Sequence, residues 1–244
     1  MKKHRSSQFL AICTAAVLAL SVPAWASQVS ITPLDTGNTT SSQSQSGASE
    51  PSTAQNTSGQ TVDISSITKP TVASQGAVLL NAADGSVLFS KNGDTTYYPA
   101  SITKLMTALL VAENCNLDDT VTFSATATTN LESGAVSIGM AEGDTMTVRQ
   151  CLYALLLKSA NEVGNALAEH VAGSNAAFAE KMNAKAASLG CTNTHFANPH
   201  GLNDPNHYTT PHDMALIARA AFANDIVKTV ASTRTYTLPA TKNN

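Results

Sequence analysis

The sequence predicts an α+β domain, with two short strands first, a helical middle, a late strand and a sheet left unfinished. Two apolar runs, residues 77–80 and 86–89, flank the turn signal Asp84-Gly85, which is typical of a β-hairpin. Apolar residues at helical spacing then recur through the middle of the chain. Residues 233–238 alternate between polar and apolar side chains, a pattern that favours a last strand.

The first 26 residues have the pattern of a secretory signal peptide. Its basic start is Lys2, Lys3 and Arg5, and its cleavage pattern is Ala24-Trp25-Ala26. The apolar run between them, residues 9–20, has 12 residues, whereas a membrane-spanning helix takes about 20. We therefore expect residues 1–26 to direct export and to be cleaved, rather than to remain as an anchor.

Residues 27–70 are predicted to be a disordered linker rich in serine and threonine. These two residue types supply 19 of the 44 positions, and none of the 44 is aromatic. Such a segment buries too little apolar surface to offset its conformational entropy. The folded domain is therefore expected to comprise residues 71–244, enough for one sizeable core.

Charge argues against a nucleic-acid partner. The chain has 14 Lys and Arg against 17 Asp and Glu, a net charge of −3. Removing the signal peptide takes away three basic residues and leaves 11 against 17, a net charge of −6. A nucleic-acid-binding domain normally carries a basic patch or stripe instead.

Capping residues mark the predicted helices. Pro99 precedes a helix from about residue 100, and Thr147-Val148-Arg149-Gln150 forms a capping box before the apolar run 151–157. That run is apolar nearly all round, so we expect it to be buried, with Cys151 as a small core residue. Further helices are predicted at 162–171, at 175–189 and from 210 onward, with Gly173 and Gly190 as C-terminal caps and Pro211 in a first turn.

The sharpest local pattern is Ser101-Ile102-Thr103-Lys104. On a helix, residues three apart lie on one face with Cβ atoms roughly 5–6 Å apart. A serine hydroxyl becomes a good nucleophile when a nearby base takes its proton, and a lysine in apolar surroundings can be that base. The helix N-terminus would also favour an oxyanion. The same four-residue spacing occurs by chance in many proteins, so the pattern alone does not establish catalysis.

A second pattern, Ser159-Ala160-Asn161, follows the apolar run directly. In an extended turn, residues two apart point the same way. A hydroxyl and an amide side by side could relay a proton and hold a substrate peptide group. The alternative is that Asn161 only caps the next helix, a position that asparagine often takes.

Together the two patterns resemble the penicillin-binding protein and β-lactamase set, S-x-x-K followed by S-x-N and K-T-G. More narrowly, they resemble the D-alanyl-D-alanine carboxypeptidases among the low-molecular-mass penicillin-binding proteins. The resemblance spans about residues 72–240 and rests on these stretches: 80–85, 98–104, 157–162, 195–202 and 208–215.

The resemblance implies a β-lactamase/transpeptidase-like fold with a helical subdomain and an antiparallel sheet. It implies that Ser101 is the acyl-enzyme nucleophile, that Lys104 is its general base, and that Ser159 and Asn161 serve proton relay and substrate positioning. The implied partners are peptidoglycan stem peptides ending in D-Ala-D-Ala, with β-lactams as acylating inhibitors. No cofactor or metal is implied, and the exported site would be extracellular or periplasmic, at the cell wall.

The third motif of the family, K-T-G, has no match in this sequence. Lys228-Thr229 is followed by Val230 rather than glycine. Similar proteins carry the motif on a strand beyond position 244, where its lysine would hold the substrate carboxylate. The sequence is therefore expected to represent a C-terminally truncated member that lacks the closing strands of the sheet.

Three other functions remain open from sequence. A β-lactamase of similar fold would need a deacylation base, but no E-x-x-L-N pattern surrounds Glu132, between the two motifs. A truncated chain would be an inactive module that binds β-lactam or cell wall. Finally, a zinc site would draw on histidines that lack the tight i, i+4 pair of zincins, namely His195, His200, His207 and His212.

Overall fold

A computed structural model describes residues 53–55, 61–63, 70–129 and 131–243 of the chain. Two compact units divide the chain, Met1–Val62 and Asp63–Asn244. Strands β1 (Thr53–Gln55) and β2 (Thr61–Asp63) form a two-stranded sheet within the segment predicted to be a disordered linker. The rest of that prediction, and the predicted signal peptide at 1–26, lie outside the described residues.

The predicted hairpin is present as antiparallel strands β3 (Ala77–Leu80) and β4 (Val87–Lys91). Its turn follows the predicted signal: Gly85 has φ +82°, and the Asp84 carboxylate accepts hydrogen bonds from the backbone N–H and hydroxyl of Ser86. A register shift interrupts the regular pairing of the two strands between Leu79 and Leu80.

The helix predicted from residue 100 begins as a 3-10 turn, Ala100–Thr103, and continues as α1, Lys104–Asn114. α1 lies at the centre of the domain and contacts the four later helices α4 (Asn161–Ala172), α5 (Asn175–Ser188), α6 (Pro211–Ala223) and α7 (Asp225–Ser232). Its buried residues include Met106, Leu109 and Val111, so α1 supplies much of the core.

A third two-stranded sheet and a short helix follow α1, and the sequence pattern predicted neither of them. Strand β5 (Thr120–Thr122) pairs with β6 (Thr145–Thr147), and α2 (Ala125–Thr129) lies between them in the chain. Each strand is only three residues long, too short to give a period-2 pattern that stands out in sequence.

The capping box at Thr147 is confirmed: its hydroxyl accepts from the Gln150 N–H, and the Gln150 side chain accepts from the Thr147 N–H. Helix α3 (Val148–Tyr153) is shorter than predicted, because the chain widens into a π-helical turn at Ala154–Lys158. The burial predicted for Cys151 is also confirmed.

The predicted C-terminal cap of α4 is confirmed, since Gly173 follows the helix with φ +79°. The C-terminal cap of α5 is Leu189, one residue before the predicted Gly190, and the Ser174 side chain caps its start. Pro211 lies in the first turn of α6, as predicted, and the Thr210 hydroxyl accepts from the Asp213 N–H. The predicted strand at 233–238 is wrong: none of the described strands pairs with it, and the Tyr236 ring instead stacks on Tyr153 with centroids 3.8 Å apart.

The architecture is α+β, as predicted: within the unit Asp63–Asn244, the antiparallel pairs β3–β4 and β5–β6 pack against the helices. Among the described residues, no helix is both long and apolar enough to cross a membrane. The thiols of Cys115, Cys151 and Cys191 are free.

Candidate active site

Ser101 lies exposed on the 3-10 turn that opens α1, whereas Thr103 and Lys104 behind it are buried. The residue before it, Ala100, has φ +51°, a left-handed conformation that costs a residue with a Cβ atom roughly 1–2 kcal/mol. Such strain is typical of functional turns and persists only where the surroundings enforce it. The turn therefore presents the Ser101 hydroxyl outward from a fixed backbone.

The Lys104 ammonium group joins the predicted site residues. Its Nζ donates to Ser101 Oγ at 3.2 Å, to Asn161 Oδ1 at 2.9 Å and to the carbonyl of His200 at 2.8 Å. Three acceptors match the three N–H donors of a charged lysine. A neutral Lys104 would have two N–H donors and a lone pair. The Ser101 hydroxyl could then donate a hydrogen bond to that lone pair.

Burial lowers the pKa of Lys104 to about 8, and the negative charge of Glu162 opposes that shift. With a pKa near 8, about one lysine in ten is neutral at pH 7. The predicted general base therefore has an accessible neutral form close to physiological pH.

The second predicted pair sits where the π-helical turn meets α4. Asn161 is the first residue of α4 rather than its cap, which is Ala160, so its amide is free to reach Lys104. Ser159 is half-buried with a left-handed backbone at φ +65°. In the described part of the chain, no hydrogen bond joins the Ser159 hydroxyl to Ser101, Lys104 or Asn161.

A long loop, residues 194–210, braces the turn that carries Ser101. Tyr97 and Thr209 exchange two backbone hydrogen bonds of 2.8 and 3.0 Å. The Thr107 hydroxyl donates to the carbonyl of Pro199 at 2.6 Å, beside the contact from Lys104 to the next carbonyl. We call residues 194–210 the bracing loop.

Gly201 lets this loop approach the turn. A Cβ atom at Gly201 would lie 1.9 Å from the carbonyl oxygen of Ala100, and the residue has φ +87°. Both the space and the backbone conformation therefore require glycine. This close approach is part of what holds Ala100 in its strained conformation.

The histidines of the bracing loop have structural roles. His207 Nδ1 accepts from the Ala197 N–H at 3.1 Å, so its Nε2 carries the proton and donates to Thr103 Oγ1 at 2.8 Å. Burial lowers the pKa of His200 to about 3 and that of His207 to about 4. Among the described residues, no three His, Cys, Asp or Glu side chains gather as metal ligands.

Sequence patterns missed two parts of the site. One is the pair of carbonyls, Pro199 and His200, which have no side-chain signal. The other is Glu162, whose buried carboxylate lies beside the Lys104 cluster and accepts from the Ser137 hydroxyl at 2.6 Å. The only sign of Glu162 in the sequence was its position directly after Asn161.

The sequence is similar to those of known proteins. A sequence model of the family described as D-alanyl-D-alanine carboxypeptidase matches residues 63–243. A curated D-alanyl-D-alanine carboxypeptidase of a Streptomyces species is 39% identical over 183 residues, covering 70% of this chain and 62% of that relative. The chain spans between 38% and 62% of the length of the first curated relatives it matches.

The fold is similar to those of solved structures. A D-alanyl-D-alanine carboxypeptidase from Mycobacterium tuberculosis matches with a TM-score of 0.68 and 32% identity, over 74% of this chain and 67% of that one. A mutant of a Streptomyces DD-transpeptidase matches with a TM-score of 0.66 and 35% identity, over 70% and 69% of the two chains. These likenesses confirm the predicted transpeptidase-like fold.

Proposed function

The chain belongs to the D-alanyl-D-alanine carboxypeptidase family, and from this premise we propose that it removes the terminal D-Ala from peptidoglycan stem peptides by a serine acyl-enzyme route. The observation that carries the proposal is the Lys104 ammonium group, buried and hydrogen-bonded to both Ser101 and Asn161. The contact supports the proposal because an amine of lowered pKa lies within hydrogen-bonding distance of the exposed Ser101.

In the proposed reaction, neutral Lys104 takes the proton of the Ser101 hydroxyl as Ser101 Oγ attacks the carbonyl of the D-Ala-D-Ala bond. The C–N bond breaks, D-Ala leaves as an amine that takes up a proton, and a Ser101 ester remains. Water then hydrolyses the ester and regenerates the hydroxyl. Asn161 would position the substrate, and Ser159 would pass the proton to the leaving amine.

A β-lactam would acylate the same serine, because its strained amide occupies the place of the peptide bond. A lasting adduct is the expected result for a carboxypeptidase, whereas rapid turnover of penicillin would indicate a β-lactamase. We further infer that the site faces the cell wall after export, since the substrate lies outside the cytoplasm. N-terminal sequencing of the secreted protein should then begin at Ser27.

The test is release of D-Ala from a synthetic peptide ending in D-Ala-D-Ala, measured with the full gene product. Release that is lost in Ser101→Ala supports the proposal. Ser90→Ala, at an exposed serine of β4, is a control that should keep the wild-type rate. A β-lactam adduct without any D-Ala release would favour the alternative of a binding module and contradict the proposed activity.

A further inference from the structure

A short segment, Val136–Ile138, determines which end of the Asn161 amide faces Lys104. The carbonyl of Val136 accepts from both the backbone N–H and the side-chain Nδ2 of Asn161, each at 2.9 Å. A carbonyl only accepts hydrogen bonds and an ammonium group only donates them. The amide therefore satisfies both neighbours only with Nδ2 toward Val136 and Oδ1 toward Lys104.

Glu162 holds this segment in place. Its Oε1 accepts from the Ser137 hydroxyl at 2.6 Å and from the Ile138 N–H at 2.7 Å. The residue is 1% exposed, and within the described part of the chain its Oε2 is buried with no hydrogen-bond partner. An under-satisfied buried carboxylate is costly, so its presence calls for a functional explanation.

We propose that Glu162 is a positioning residue for acylation at Ser101: its carboxylate fixes Val136–Ile138, and that segment fixes the Asn161 amide against Lys104. The inference rests on the proposed function, because it assigns Glu162 a role in that same reaction. Glu162 itself touches neither Ser101 nor the substrate position. It acts through the segment and through its charge.

The charge of Glu162 has a separate, measurable effect. The titratable groups that face Lys104 are Glu162 from α4 and His200 from the bracing loop. His200, with a pKa of about 3, is neutral throughout the working range. Glu162 is therefore the group that supports the charged form of Lys104 against burial, and removing its charge should lower the pKa of Lys104 further.

Two variants separate the positioning effect from the charge effect. Glu162→Gln keeps an oxygen that can accept from Ser137 and Ile138 but removes the charge. Glu162→Ala removes both. Glu142→Gln is the matched control, because Glu142 is an exposed carboxylate a few residues beyond the segment.

The measurement is the acylation rate by fluorescent penicillin across pH 6 to 10. For Glu162→Gln, the rate at high pH should stay within about threefold of wild type, while the midpoint of the pH profile moves to lower pH. For Glu162→Ala, the rate should fall about 10- to 100-fold at every pH, the loss expected when a reacting group is misplaced. Glu142→Gln should change neither quantity.

An NMR measurement makes the result independent of activity. The side-chain amide resonance of Asn161 should move in Glu162→Ala and stay near its wild-type position in Glu162→Gln. If the wild-type protein takes the label and this pattern appears, but no D-Ala is released from the peptide substrate, the proposed carboxypeptidase activity fails and the positioning role in acylation stands. A wild-type protein that takes no label would overturn both. An Asn161 resonance unmoved in Glu162→Ala, or equal rate losses in both variants with no midpoint shift, would overturn the inference.

Discussion

Lys104 has the property on which the proposed chemistry depends, a buried amine that loses its proton far more easily than an exposed lysine. Burial lowers the pKa of Lys104 to about 8, and the negative charge of Glu162 opposes that shift. In the proposed reaction the neutral amine takes the serine proton, so the acylation rate should follow the deprotonated fraction of Lys104.

We therefore expect the acylation rate to rise about tenfold per pH unit below pH 8 and to level off above it. Lys104→Arg, which stays charged at every accessible pH, should lower the rate by about 10²- to 10⁴-fold and remove the rise. Lys181→Arg, on an exposed face of α5, is the matched control and should leave both unchanged. A profile that is flat between pH 6 and 9 would contradict the role of Lys104.

At the scale of elements, the bracing loop and the turn at Ala100 act as one unit. The loop supplies two carbonyls to α1 and approaches Ala100 so closely that only glycine fits at position 201. A Cβ atom there meets backbone rather than a movable side chain, so the turn itself would have to shift.

Gly201→Ala should therefore destabilise the domain and slow acylation. Its matched control is Gly190→Ala, since Gly190 has the same φ of +87° and nothing within 4 Å of a Cβ atom. The control should cost about 1–2 kcal/mol for the left-handed conformation alone. Gly201→Ala should cost at least about 2 kcal/mol more, because of overpacking. Urea unfolding measures the loss of unfolding free energy in each variant. Equal losses in the two variants would show that the close approach at Gly201 has no consequence.

Elements with local signals were predictable, and those set by distant partners were not. The Asp84-Gly85 turn and the Thr147 capping box depend on neighbouring residues, and both are present as predicted. The π-helical turn that ends α3 early left no local signal, and the alternation at 233–238 does not form a strand because no described strand pairs with it.

Contacts of the site residues also divide into those with a local sequence signal and those set by distant partners. The spacing of Ser101 and Lys104 on one turn predicted their contact, which the structure shows at 3.2 Å. The contact from Lys104 to Asn161 crosses 57 positions and came from family resemblance rather than spacing. The roles of Glu162 and of the carbonyls of the bracing loop depend on tertiary packing, which no short pattern encodes.

At the scale of the whole molecule, two buried neutral histidines couple stability to pH. His200 and His207 have folded-state pKa values of about 3 and 4, below the ordinary value of 6.5. At a pH between the ordinary pKa and these lowered pKa values, both histidines are protonated in the unfolded chain but neutral in the folded domain. Stability should therefore fall as pH drops from about 6.5 toward 4, by up to about 1.4 kcal/mol per pH unit for each histidine.

His207→Gln should make the fall in unfolding free energy between pH 6.5 and 4.5 less steep, because one of the two groups no longer titrates. His170→Gln removes an exposed histidine of α4 and should leave the slope as in wild type. Urea titrations at several pH values give the slopes. The expectation is contradicted if the two variants have the same slope.

The proposed activity depends on the acylation of Ser101 with the help of Lys104. The most direct measurement is peptide mapping by mass spectrometry after incubation of the full gene product with penicillin. We predict one adduct of intact penicillin mass on the peptide that contains Ser101, absent in Ser101→Ala and strongly reduced in Lys104→Arg. An adduct on another residue, or none on the wild-type protein, would contradict the account.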